Sequence, residues 1–187
     1  MKSARPSAGV VAMAVAFALP CAAACSAVEQ RRIGVTAPDG SELAFGPVAD
    51  YLDHRCGTLD CHGQSGRNLR IWGCNGMRLD QFDVPSCNRL VGGKPTTVQE
   101  HEATYRSVVG LEPSVMTAVV QGGGQHPELL TLVRKARGTE AHKGGAIVTP
   151  GDAQDKCITS WLAGNTDTTA CASATGLPVF PLLDASE

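Results

Sequence analysis

Arg55-Cys56-Gly57-Thr58-Leu59-Asp60-Cys61-His62-Gly63 sets two cysteines close together with a histidine directly after the second. Thioether attachment of a c-type haem needs two thiols placed to meet the two vinyl groups of one porphyrin, and an imidazole beside the second thiol to ligate the iron. Cys56, Cys61 and His62 are such a set, with four residues between the cysteines where two are common. A longer arch can still present both thiols. Two other readings stay open on these residues: a Cys56–Cys61 disulfide closing a tight loop with His62 on the surface, and a metal site.

Outward from this run the chain reads as helices joined by long loops. Pro47 suits the first turn of a helix, and Val48, Tyr51 and Leu52 share one face, so the spacing predicts a short amphipathic helix from Pro47 to about Arg55 leading into Cys56. Glu29 to Gly46 mix charge, Gly and Pro without periodicity and read as a loose arm. Gly63 to Gly93 form a long irregular segment of the kind that wraps a cofactor or is pinned by a bridge.

Further along, Thr97 and Glu100 make a capping box for a helix carrying Val98, His101, Tyr105, Val108 and Val109 up to Gly110. Glu112-Pro113-Ser114 opens a second helix, with Val115, Met116, Val119 and Val120 on its apolar side and glycines from Gly122 ending it. Pro127 opens a third, running to Lys135 and Arg137. Asp152 caps a last helix that carries Cys157, Ile158, Trp161 and Leu162 to Gly164. No stretch alternates with period two for long enough to make a sheet, so the expected fold class is all-α, disulfide-stapled, with short helices and long loops.

The N-terminus places Lys2 and Arg5 before an apolar run from Ala8 to Leu19 and a small-residue cluster from Ala22 to Ala27. That is the order of a secretory signal peptide, assigned to residues 1–24, and the apolar run is too short for a permanent membrane span. Ala22-Ala23-Ala24-Cys25 resembles a bacterial lipoprotein processing site, and a lipid on Cys25 would tether the chain to a membrane. Ordinary cleavage after Ala24 or Ala27 is the alternative. The expected location is exported, periplasmic or membrane-anchored, in a bacterium.

The expected organisation is then a flexible tether at 25–46, one haem domain at 47–165 and a tail at 166–187 held through Cys171. A net charge of −2 and a pI near 6.2 give no basic patch of the kind nucleic acid requires. Without Cys21 and Cys25, six of the eight cysteines remain, Cys56, Cys61, Cys74, Cys87, Cys157 and Cys171. If haem takes Cys56 and Cys61, the economical pairing of the rest is local, Cys74 with Cys87 and Cys157 with Cys171. Three disulfides would use the six equally well.

With His62 on one face of an iron, the other face takes His, Met or nothing. His54 lies just before the motif and reads as a surface residue, His101 as a solvated or packed helix residue, and His126 as part of a turn. Glu100-His101-Glu102 point in different directions from their helix and read as a solvated face. His142 stands in Ala141-His142-Lys143-Gly144-Gly145, where glycines let the backbone approach a flat cofactor and a side chain turn inward, so it is the candidate sixth ligand. Met116 reads as core before ligand, and Met77 is a weaker candidate.

Cys61-His62-Gly63, Leu129-Leu130 with Lys135, His142-Lys143-Gly144-Gly145 and Ile158-Thr159-Ser160-Trp161-Leu162-Ala163-Gly164 resemble, in order, the landmarks of the planctomycete-type cytochrome c domain. The resemblance covers roughly residues 47 to 165. It implies a cytochrome-c-like fold with covalent haem c on Cys56 and Cys61 and with His62 as proximal iron ligand. The expectation is a non-enzymatic carrier passing electrons to a redox partner protein. The competing class is a haem-free lipoprotein stapled by three disulfides and acting as a binding or structural module. A hydrolase has little support, for no serine sits in a nucleophile-elbow pattern and no His-Glu-x-x-His spacing occurs.

Overall fold

The computed structural model describes residues 34–176. The signal segment, Cys25, the first part of the expected tether and residues 177–187 lie outside the described residues. Residues 35–176 belong to one compact unit. It is helical, with no strands among the described residues and two isolated bridges, Trp72 with Met77 and Val84 with Gly93. No helix among the described residues is long and apolar enough to cross a membrane.

The order is α1 Glu42–Cys56, α2 Val98–Leu111, α3 Pro113–Gln121, α4 Thr131–Ala136, α5 Ala153–Leu162 and α6 Thr168–Thr175, with 3-10 turns at Arg89–Val91 and Pro127–Leu129. α1 is central and packs on α2, α5 and α6. Its buried face, Phe45, Val48, Ala49, Tyr51 and Leu52, meets Val108 of α2 and Ile158, Trp161 and Leu162 of α5. The Phe45 ring lies 4.9 Å from Trp161 and 5.3 Å from Tyr105, and Trp161 Nε1 donates to the Asp39 carbonyl at 2.9 Å. Burying side chains of this size stabilises by about 1.5–3 kcal/mol each.

α1 starts at Glu42, not Pro47, and Pro47 lies inside it. Proline there deprives the Leu43 carbonyl of its intrahelical partner, but Leu43 is exposed, so water can serve it. What holds the early turn is Phe45, 1% exposed against Trp161 and Tyr105. The described part of the expected tail, residues 166–176, carries a helix that the sequence reading lacked. Asp167 accepts from the Ala170 N–H at 2.8 Å to start α6, whose buried Ala170, Cys171 and Ala174 face the core.

The capping box of Thr97 and Glu100 forms as expected and starts α2, and the Asp152 side chain caps α5 on the Asp155 N–H at 2.7 Å. The helix expected from Pro127 is broken. Leu130 is extended and buried, and the Glu112 carboxylate takes over the start of α4 by accepting from the Thr131 N–H and hydroxyl at 2.6 and 2.8 Å.

The segment after the cysteine motif is irregular, as expected, and polar links fix it to the helices. Cys74–Cys87 and Cys157–Cys171 are disulfides, the local pairing, and both suit an oxidising compartment. Asp53, one turn before Cys56, is buried and accepts from Thr96 Oγ1 at 3.0 Å and from the Asn75 N–H and Nδ2 at 3.3 Å. Burial pushes its carboxyl up from the usual range, and these hydrogen bonds offset part of that.

Arg78 donates to both Glu100 oxygens at 2.8 and 3.1 Å and to the carbonyls of Lys94 and Pro95. Glu100-His101-Glu102 is therefore not a solvated face. Glu100 pairs with Arg78 in the interior, and His101 is buried between Glu42 at 2.9 Å and Asp50 at 3.1 Å on α1. Only Glu102 stays exposed, paired with Arg106.

Candidate functional site

α1 ends at Cys56, and the next six residues fold back on it. The Cys61 N–H donates to the Thr58 carbonyl at 2.9 Å, the Gly63 N–H to the same carbonyl at 3.0 Å, and the His62 N–H returns to the Cys56 carbonyl at 2.9 Å. The long arch is thus a compact turn that sets His62 beside Cys56. Arg67 braces it from outside, donating to the carbonyls of Cys61 at 3.0 Å and Asp60 at 3.3 Å. The arch needs glycine at two crossings, because a Cβ on Gly63 or on Gly76 would lie 1.8 Å from the Gly57 carbonyl oxygen.

Cys56 and Cys61 remain free thiols, Cys56 partly buried and Cys61 exposed. Burial pushes the Cys56 thiol up to about 12, and the neighbouring Cys61 adds to the shift. The one cluster of metal-type donors among the described residues, Asp53 with Cys74 and Cys87, has both sulfurs already joined to each other.

Beside Cys56 lies a cavity of about 340 Å³. His62 and His142 both line it, with the aliphatic Leu69, Leu111, Leu132 and Ile147 and the basic Arg67 and Lys135. The two imidazoles, eighty residues apart in sequence, have ring centres 5.9 Å apart and planes within 15° of parallel. An imidazole binds a metal through nitrogen at about 2.0–2.1 Å, so two rings on opposite sides of one ion sit about 6 Å apart.

Each ring is oriented in the same way. His62 Nδ1 donates to the Leu69 carbonyl at 3.1 Å, and His142 Nδ1 meets the Gly145 carbonyl at 3.4 Å. A carbonyl partner takes a proton on Nδ1, so in a neutral ring the Nε2 lone pair stays unused, and Nε2 of neither ring has a partner among the described residues. Burial holds His62 below its ordinary range, with nearby His142 and Arg67 lowering it further and the Leu69 bond offsetting part. A neutral imidazole is the form that ligates metal. His62, His142 and the Cys56 thiol thus line one cavity, donors of the kinds that a haem iron and a haem vinyl group take, while Cys61 does not line it.

Of the other expected residues, Met116 is buried core, and His126 forms a turn with φ 56°. Sequence reasoning missed Arg67, Leu69 and Gly76, which hold the arch and the His62 ring and belong to no local pattern. Compared with known protein families, curated proteins and solved structures, the chain matches none.

Proposed function

We propose that the chain is an exported c-type cytochrome with a cytochrome-c-like fold, binding one covalent haem between His62 and His142 and passing electrons to a protein partner. The observation that carries this reading is the pair of imidazoles on one cavity, each tied through Nδ1 to its own loop and without a partner at Nε2, with the unpaired Cys56 thiol on the same cavity and the unpaired, exposed Cys61 directly before His62. Bound there, the haem would supply a one-electron couple, and two histidine ligands favour a lower potential than a His/Met pair.

The chain's own residues supply the rest. The Leu69 carbonyl fixes the tautomer and angle of His62, Arg67 holds the arch that carries the thiols, and Leu69, Leu111, Leu132 and Ile147 give the cavity an apolar side. The haem-free module has less support, because its third staple, Cys56–Cys61, is not formed. Two disulfides fit export, and a lipid on Cys25 remains part of the proposal as a membrane tether.

Expression beside a cytochrome c maturation system tests the reading. The wild type is expected to show a low-spin six-coordinate haem spectrum, which His62→Ala abolishes and His142→Ala converts to a five-coordinate one. A protein without visible absorbance, or a spectrum indifferent to both substitutions, refutes it.

A further inference from the structure

The two imidazoles are anchored very unequally. The His62 N–H is bonded to Cys56, and its carbonyl accepts from the N–H of the fully buried Ile71 at 2.9 Å. His142 sits in a turn fixed only at its ends. Before it, Lys135 Nζ donates to the Ala141 carbonyl at 2.9 Å; after it, the Ile147 and Val148 N–H groups donate to the Ala136 carbonyl at 2.9 and 3.0 Å.

Between these points, residues 142–146 make hydrogen bonds, among the described residues, only within the turn. The Gly145 N–H donates to the His142 carbonyl at 2.9 Å, and the ring contact is the long one at 3.4 Å. Lys143 to Ala146 are exposed, and Gly145 takes the left-handed backbone, φ 71°, open to glycine without strain. The turn can move as a unit without breaking a bond to the core, whereas moving His62 breaks several.

We infer that His142 is a displaceable ligand and His62 a permanent one, so that the His142 turn, hinged at Ala141 and Ile147, opens the sixth position to a small neutral diatomic ligand of the carbon monoxide and nitric oxide class. This rests on the haem reading above. The exchange is redox-neutral: imidazole leaves with its lone pair, the incoming molecule supplies another, and the iron keeps its oxidation state. Leu111, Leu132 and Ile147 offer a small uncharged ligand apolar contact, with Arg67 and Lys135 on the same cavity.

Stopped-flow mixing of the reduced, haem-loaded full chain with carbon monoxide tests this. The observed rate should rise with carbon monoxide and then plateau, because opening of the turn becomes limiting. Lys135→Met, which removes the anchor on Ala141, should raise the plateau about fivefold, the factor that about 1 kcal/mol gives at 1.4 kcal/mol per tenfold. His142→Ala should abolish the plateau and leave a linear dependence.

Amide hydrogen exchange on the same haem-loaded protein gives a readout apart from the iron. Residues 142–146 should exchange at least tenfold faster than 62–71, and equal protection overturns the inference. So does a haem-loaded protein unchanged by carbon monoxide, or a wild-type rate linear throughout. A chain that takes up no haem overturns the functional reading itself, a failure distinct from these.

Discussion

Replacing Arg78 with Met leaves Glu100 charged and enclosed. The two side chains are each 2% exposed, with Arg78 Nε and Nη2 on the Glu100 oxygens at 2.8 and 3.1 Å. Nη1 and Nη2 also serve the carbonyls of Lys94 at 2.8 Å and Pro95 at 3.1 Å, so one guanidinium ties the long loop to α2 and to the segment before it. After the substitution Glu100 keeps the N–H groups of Leu79 at 3.2 Å and Thr97 at 2.9 Å but has no countercharge.

Breaking a buried pair from one side costs about 3–5 kcal/mol, against a total stability of about 5–15 kcal/mol. In a unit of this size about 1 kcal/mol shifts Tm by about 2–4 °C, which puts the fall at roughly 6–20 °C. Urea unfolding followed by far-UV circular dichroism, with the disulfides intact, reads the free energy. Arg78→Met/Glu100→Met removes both charges and should regain more than half of the loss, the remainder reflecting the two stranded carbonyls. The reasoning fails if Arg78→Met lies within about 1 kcal/mol of wild type, or if the double variant is no more stable than the single one.

Other consequences are as direct. Burial opposes the His101 charge, but its hydrogen bonds to Asp50 and Glu42 outweigh burial and raise it to about 9. The folded protein therefore holds a proton that the unfolded chain releases above about 6.5, and this contribution, on the order of 3 kcal/mol, is complete below that pH and lost as pH rises through 9. Stability titrations of wild type and His101→Gln should converge across that window, and parallel curves would contradict the assignment. Gly76→Ala pushes a methyl to 1.8 Å from the Gly57 carbonyl and should lower both stability, by about 1–3 kcal/mol, and covalent haem per chain; unchanged loading would show that the arch tolerates the crossing. Cys157→Ser/Cys171→Ser opens a loop with a sequence separation of 14 and should cost about 3 kcal/mol in the same urea assay, a loss below 1 kcal/mol counting against the staple.

What could be read from the sequence was local chemistry. The Thr97–Glu100 box and the Asp152 cap satisfy backbone groups within a few residues, so they announce α2 and α5. α1 was legible in type but not in extent, because Pro47 looks like a start and Phe45 is held by Trp161, more than a hundred residues away. α6 has no strong apolar stripe and is fixed by Cys171 to α5. Arg78 and Glu100, or His101 and the α1 carboxylates, carry no signal of their partners until the chain folds.

The site divides in the same way. Cys56, Cys61 and His62 stand in one run whose residue types name a chemistry, and the glycines around His142 suggest an inward-turning loop. The meeting of His62 and His142 at 5.9 Å is a tertiary fact, set by α4 holding the Ala141 and Ile147 ends of the turn against the cavity. The bracing by Arg67 and the Gly63–Gly76 crossing depend on where the irregular loop passes, which no periodicity specifies.

The most direct test of the central claim is the intact mass under denaturing conditions of protein made beside a cytochrome c maturation system, read with a pyridine haemochrome spectrum. One haem-sized increment that survives denaturation is expected, with the hydrogens of two disulfides missing and an absorption band in the c-type range. A bare polypeptide mass reduced by the hydrogens of three disulfides, with no visible band, would contradict it and make Cys56–Cys61 a structural bridge.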